Sequence, residues 1–520
     1  MLVHNFLEYS AGKSPGKAAL VINNERHTYA DINAMADRLA YALVAEGFER
    51  GDRAVVFLEN TLEAVVSIFA ILKAGGAFLP VNPGTKGEKL AYILNNSRAS
   101  ALISSNQKTN VINEVCGATP FLRMIVLAGN GTAWNNITLN KKIISFGDIT
   151  ESSGTPSLPC VSIDADLASI LYTSGSTGRP KGVALTHLNM VSAADSITTY
   201  LENTSDDIII NVLPLSFDYG LYQVLMAFKV GATVILEKSF IYPWSIIDTI
   251  LREKVTGFPI VPMISAILMQ IDDIKQKDFS HLRYITNTAA SLPDAHIKKL
   301  REFFPKTKIF SMYGLTECKR VSYLPTEDLE KRPGSVGKAM PNTETYVVDE
   351  DGKKVGPGVI GELVVRGSNV MRGYWESPEE TARVIKTGAF PGDVLLYTGD
   401  NFVMDEAGYL YFKGRKDDVI KSRGEKVSPK EIENVLYGIK GVAEAAVIGV
   451  PDPILGESIK AFIVRSEHSL TERDVLTFCS TRLEDLLVPK EIVFVDELPK
   501  TENGKINKAL LKQMPPRPSI

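Results

Sequence analysis

The densest chemistry in this 520-residue sequence lies in Tyr172-Thr-Ser-Gly-Ser-Thr-Gly-Arg-Pro-Lys-Gly-Val183, where three glycines, four Ser/Thr hydroxyls and Lys181 fall within a dozen residues. Glycines let backbone N–H groups approach anionic oxygens, hydroxyls donate further hydrogen bonds, and a lysine supplies a point charge. Such a loop is suited to wrapping a polyphosphate. No Gly-Lys-[Ser/Thr] closes it, which separates it from a Walker A loop. Other reactive residue types are scattered. Cys116, Cys160, Cys318 and Cys479 lie far apart without CxxC spacing, and the six histidines form no HExxH pattern. This argues for free thiols in a reducing compartment and against structural zinc or a His-based metalloenzyme.

The loop needs a scaffold, and the surrounding sequence alternates between strand and helix patterns. His27–Leu43 carries apolar residues at helical spacing, with Asp31 placed as an N-cap or first-turn acid. Arg53-Ala-Val-Val-Phe-Leu58 suits a buried strand, and Leu62–Ala74 restores the helical period before Gly75-Gly76 stops it. Further strand-like runs begin at Ala101, Ile208, Thr233 and Gly257, and Ile170-Leu171 precedes the loop. The alternation predicts a large N-terminal domain of mostly parallel α/β layers, with ligands at the carboxyl ends of the strands. From about residue 335 to 416, short strands with turns at Asp351-Gly352 and Gly356-Pro-Gly358 predict a β-rich subdomain. Residues 1–416 then form the large domain, and 417–520 a small α+β C-terminal domain in which Ser428-Pro429 opens a helix over Lys430–Tyr437.

The composition is 45% hydrophobic and 23% charged, as expected of a folded multidomain chain. A net charge of −4 offers no basic excess for nucleic acid. The N-terminus lacks a signal-peptide pattern, and no apolar run approaches the roughly 20 residues of a bilayer span, so a cytoplasmic protein is expected.

Four more motifs follow the phosphate loop: Tyr313-Gly-Leu-Thr-Glu317, Tyr397-Thr-Gly-Asp400, Gly414-Arg-Lys-Asp-Asp-Val-Ile-Lys421 and Pro499-Lys-Thr-Glu-Asn-Gly-Lys505. In this order and spacing, and over nearly the whole chain, the sequence resembles the AMP-forming adenylating superfamily of acyl-CoA synthetases, amino-acid adenylation domains and luciferases. The resemblance implies ATP-dependent conversion of a carboxylic acid to an acyl-adenylate with release of pyrophosphate. The acyl group then passes to the phosphopantetheine thiol of CoA or a carrier protein, releasing AMP. It further implies that Thr173, Ser174, Gly175, Ser176, Thr177, Gly178 and Lys181 hold the phosphates, with Thr316 on the α-phosphate and Glu317 on Mg2+. Tyr313 and Gly314 would pack on adenine, with Asn287, Thr288 and Ala289 on its other side. Asp400 would accept from the ribose hydroxyls beside Arg415, and Lys505 would be the catalytic cation of adenylation. Domain motion about a hinge at Asp417 would exchange Lys505 for the Gly424 region, where the thiol enters.

The acid pocket departs from the common pattern. Where many acyl-CoA synthetases have Pro-Leu-Phe-His, this chain reads Leu213-Pro-Leu-Ser-Phe-Asp-Tyr-Gly220. Its Phe217-Asp218 resembles the Phe-Asp of amino-acid adenylation domains, in which the aspartate meets the substrate's ammonium group. With Tyr219, Tyr222 and Met312 as further substrate residues, this favours a small amino or imino acid such as proline. The alternatives are an Asp218 satisfied by backbone or by a nearby lysine, and a fatty, aryl or other non-amino acid, as Gly314-Leu-Thr-Glu317 is closer to the acyl- and aryl-CoA branch. A cation in Cys318-Lys319-Arg320 could meet an acidic substrate or a phosphate, or sit on the surface. No carrier segment precedes Ile520, so the acceptor is expected to be free CoA or a separate carrier protein. An inactive nucleotide-binding protein would lack catalytic residues, yet Lys181, Glu317, Asp400, Arg415 and Lys505 are all present. A luciferase-like oxygenase would be revealed by light emission.

Overall fold

The computed structural model describes residues 1–129, 141–152, 154, 158–173, 180–288, 292–416, 418, 420–422, 425–452, 456–466, 469–483, 485, 487–501 and 504–514. Its early elements show how the sequence sets local structure. Helix Tyr29–Ala45 starts at Thr28, whose side chain accepts from the Asp31 N–H while the Asp31 side chain accepts from the Thr28 N–H. Asp31 is thus the third residue of a capping box, not the N-cap itself. Helix Leu62–Lys73 is buried from Ala64 onward, which suits its nearly uninterrupted apolar sequence.

Two large sheets carry the α/β layers. The first has eight strands in the order Gly373–Tyr374, Lys181–Thr186, Leu167–Thr173, Ala77–Pro80, Arg53–Phe57, Ala101–Ser105, Met124–Ala128 and Lys142–Ser145. The second has nine: Lys338–Ala339, Ser322–Leu324, Lys308–Tyr313, Tyr284–Asn287, Gly257–Ile260, Ile208–Asn211, Thr233–Leu236, Ala18–Ile22 and Glu25–Thr28. Parallel pairing dominates both interiors, as expected, and the edges turn antiparallel except at Lys142–Ser145, which pairs parallel. The connection from Thr173 to Lys181 is too short for a crossover, so the strands flanking the phosphate loop form an antiparallel hairpin. Strands of both sheets and helices Tyr29–Ala45, Leu62–Lys73 and Asp218–Val230 contribute to one continuous apolar cluster.

A five-stranded antiparallel sheet follows, built from Thr343–Val348, Gly361–Gly367, Val394–Met404, Ile385–Thr387 and Leu410–Arg415. The last sheet, from Ile420–Ser422 to Glu491–Val495, has its own buried core, which includes Ile432, Leu436, Val447, Ile459 and Val475. Its first helix runs Pro429–Tyr437, with proline in the first turn. No described helix is long and apolar enough to cross a membrane.

Candidate active site

One wall of the candidate site forms where strands of the nine-stranded sheet finish. Asn287 ends one parallel strand and Tyr313 its neighbour, in a register that pairs Asn287 with Ser311. Beyond Tyr313 the chain folds sharply back. A Cβ on Gly314 would lie 2.5 Å from the Lys319 carbonyl oxygen and 2.9 Å from Arg320 Cα, so only glycine permits this turn. The Tyr313 hydroxyl donates to Asp400 Oδ2 at 2.6 Å. Asp400 faces Arg415 across an antiparallel pair, with Arg415 Nε 3.3 Å from Asp400 Oδ1. Gly399, at φ +70, lies within strand Val394–Met404 where its register with Gly361–Gly367 is irregular, and donates its N–H to Glu362 Oε1 at 2.9 Å. Asp400 is 3% exposed, and its Oδ1 accepts no hydrogen bond from the described residues, which leaves an acceptor for a hydroxyl donor. Burial raises the Asp400 carboxyl above its ordinary value, against the opposing pull of Arg415 and Tyr313.

On the hairpin that carries the glycine-rich segment, Thr173 and Lys181 face each other. Lys181 pairs with Glu380, and its Nζ lies 5.5 Å from the centre of the Tyr374 ring. The Tyr374 hydroxyl donates to Glu317 Oε1 at 2.8 Å, and burial raises the phenol above its ordinary range. Glu317 and Thr316 are both half-buried on the loop after Tyr313. Tyr374 and Glu380 were not legible in the sequence; the aromatic pair Tyr374-Trp375 was the available signal. Ser174, Gly175, Ser176, Thr177, Gly178, Ala289, Asp417 and Gly424 lie outside the described residues. Among the described residues no group of three His, Cys, Asp or Glu could hold a metal. A single carboxylate such as Glu317 suits Mg2+, which binds through one or two carboxylates together with substrate phosphates.

A cavity of about 310 Å³ joins these walls to the C-terminal sheet, lined among others by Thr288, Met312, Tyr313, Asp400, Arg415 and Lys505. Lys505 sits on a turn in which the Thr501 N–H donates to the Lys505 carbonyl at 2.7 Å, and its charge bears on Asp400. The two parts also touch elsewhere. Ser428 Oγ donates to the Lys413 carbonyl, and the His296 and Tyr437 rings are 6.1 Å apart.

The region around Asp218 differs from expectation. Asp218 starts helix Asp218–Val230, where the helix dipole favours its charge, and Lys319 Nζ lies 3.3 Å from its Oδ2. Of the alternatives in the sequence, the nearby lysine holds. Lys319 and Arg320 are not surface cations: they are 4% and 1% exposed. Lys319 Nζ lies 4.4 Å from the centre of the Tyr222 ring, and the Arg320 guanidinium lies 5.0 Å from that of Tyr219. Burial pushes Lys319 down to about 7, with Asp218 opposing and Arg320 adding to the fall. Tyr219 OH bonds the Thr286 carbonyl at 2.8 Å, and Tyr200 OH donates to Met312 Sδ at 3.0 Å.

Residues 7–375 match the family model described as AMP-binding enzyme, and 431–505 match the AMP-binding enzyme C-terminal domain. The chain belongs to the AMP-binding enzyme family and is an AMP-forming acid–thiol ligase of the acyl-CoA synthetase type. It is 32% identical to the long-chain-fatty-acid–CoA ligase of Bacillus subtilis over 97% of this chain and 93% of the relative. It is 33% identical to the indoleacetate–CoA ligase of Aromatoleum aromaticum over 99% and 98%. An anthranilate CoA ligase solved with anthranoyl-AMP superposes with a TM-score of 0.89 at 29% identity, covering 99% of this chain and 97% of the other. These likenesses, with Lys319 already on Asp218, back the alternative of a fatty, aryl or other non-amino acid better than the amino- or imino-acid reading, and they lend no support to a carrier protein as acceptor.

Proposed function

We propose that this protein joins CoA to a carboxylic acid lacking an α-amino group, through an acyl-adenylate. The observation that carries the reading is the convergence of Tyr313, Asp400, Arg415 and Lys505, from both parts of the chain, on one cavity. The acid's carboxylate attacks the α-phosphorus of ATP and pyrophosphate leaves. Both partners are anionic, so catalysis rests on neutralising and aligning them. Lys505 and Lys181 supply positive charge, Thr316 donates to the α-phosphate, and Asp400 accepts from the ribose hydroxyls next to Arg415. Tyr313 covers the adenine, with Asn287 and Thr288 opposite. Glu317 would hold Mg2+, which supplies charge neutralisation on the phosphates. Residues 417–520 act as a lid that withdraws Lys505 after the first step. The CoA thiol then attacks the acyl carbon and AMP leaves.

An amine-free acid is supported by the cations at the acid end, since a substrate ammonium would have to displace Lys319 from Asp218 and sit beside Arg320. ATP–pyrophosphate exchange over fatty, aryl and amino acids tests this. Exchange with amine-free acids, followed by CoA thioester formation, is expected; exchange confined to amino acids would overturn it.

A further inference from the structure

The acid end holds more buried positive charge than its own carboxylates balance. Lys319 and Arg320 are both more than nine-tenths buried, and Asp218 pairs with Lys319. Among the described residues no carboxylate pairs with Arg320, and its buried Nε makes no hydrogen bond. Arginine cannot shed its proton to relieve this, and an unpaired buried charge is costly. The contacts it does have are aromatic. The guanidinium lies over Tyr219, and its field reaches the hydroxyls of Tyr200, Tyr219 and Tyr222. These rings connect it to the adenylate cavity, since Tyr200 donates to Met312, which lines that cavity beside Tyr313. The backbone is also constrained: Lys319 is a non-glycine residue at φ +61, held where the loop presses against Gly314. Strained, charged and buried residues of this kind mark functional sites.

We propose that the Lys319–Arg320 pair selects an acid bearing a second anionic group, a carboxylate away from the reacting one, which Arg320 receives in bidentate fashion while Lys319 stays on Asp218. This rests on the acid–CoA ligase reading above. In that role the pair supplies specificity, because a site built to hydrogen-bond a charged group discriminates against the analogue that lacks it.

The test uses the full chain with matched acids: hexanoate against adipate, and benzoate against isophthalate. Pyrophosphate exchange gives kcat/KM for each, and the shift in unfolding temperature on adding each acid without ATP gives binding. The expected result is a diacid preference of about tenfold or more in at least one pair. Arg320→Met should abolish that preference, and Arg320→Lys, which keeps the charge, should restore part of it. Equal loss on mono- and diacids in Arg320→Met would overturn the proposal, since Arg320 would then serve the reacting carboxylate or the fold. Exchange with acids in general but no diacid preference would also overturn it and leave the ligase reading standing. Diacid-specific stabilisation lost in Arg320→Met, without exchange on any acid, would support the pair's role and overturn the ligase reading instead.

Discussion

The two ends of the site handle charge in opposite ways. Around the proposed nucleotide pocket, Asp400 accepts from Tyr313 and Glu317 from Tyr374, while Arg415 and Lys181 are held by acids. Asp400 and Lys181 each face an opposite charge, and ligand groups can exchange into those two pairs without leaving a charge stranded. At the acid end one carboxylate, Asp218, stands against two buried cations. A balanced wall fits a ligand that never changes, ATP. An unbalanced one fits a ligand that completes it, which is where specificity resides.

Substitutions at the two ends should therefore behave differently. The largest effect is expected from Lys505→Ala, which should lower adenylate formation by about 10²–10³-fold, the scale of one lost transition-state donor. Thioester formation from a supplied acyl-adenylate should survive, and loss of both half-reactions would contradict the role given to Lys505. Next is Asp400→Ala, which removes a buried acceptor and should cut kcat/KM for ATP by about a hundredfold. Steady-state kinetics with ATP varied checks it, and an unchanged KM for ATP would place the ribose elsewhere.

At the acid end the effect should be on stability. The folded protein holds Lys319 at about 7, below its ordinary 10.5. Across that window the unfolded chain binds more protons, so this contribution is present above 10.5 and is lost as pH falls through about 7. Asp218→Asn removes the group that supports the Lys319 charge, pushes its pKa lower still, and extends the loss to more acidic pH. A destabilisation of about 1–3 kcal/mol is expected, larger near about pH 6 than about pH 9 in denaturant titrations. A pH-independent loss would argue against a charged Lys319. The smallest effect belongs to Glu380→Gln, because the Lys181–Glu380 pair is partly exposed and is worth less than about 1 kcal/mol. Its unfolding temperature should barely move, and a large drop would make the pair structural.

This contrast also explains what could be read beforehand. Lys181, Thr316, Glu317, Asp400, Arg415 and Lys505 stood out because each lies in a short motif, and the described structure brings Asp400, Arg415 and Lys505 to one cavity. The alternation of strands and helices was legible because hydrophobic period reports it directly. Tyr374 and Glu380 were not, since each gains meaning only from a partner far along the chain, Glu317 or Lys181. Lys319 and Arg320 were visible as residues but not as buried ones. Charged side chains are seldom fully buried, and only the tight turn at Gly314 carries these two inward. The partner of Asp218 was hidden for the same reason, because Lys319 lies in another motif.

The most direct measurement follows one oxygen. With an acid labelled with ¹⁸O in its carboxylate, and ATP and CoA unlabelled, attack on the α-phosphorus carries an acid oxygen into AMP when the thiol displaces it. Mass spectrometry should find ¹⁸O in AMP, none in pyrophosphate, and the acyl group on CoA; label in pyrophosphate or phosphate, or formation of ADP, would contradict an acyl-adenylate route.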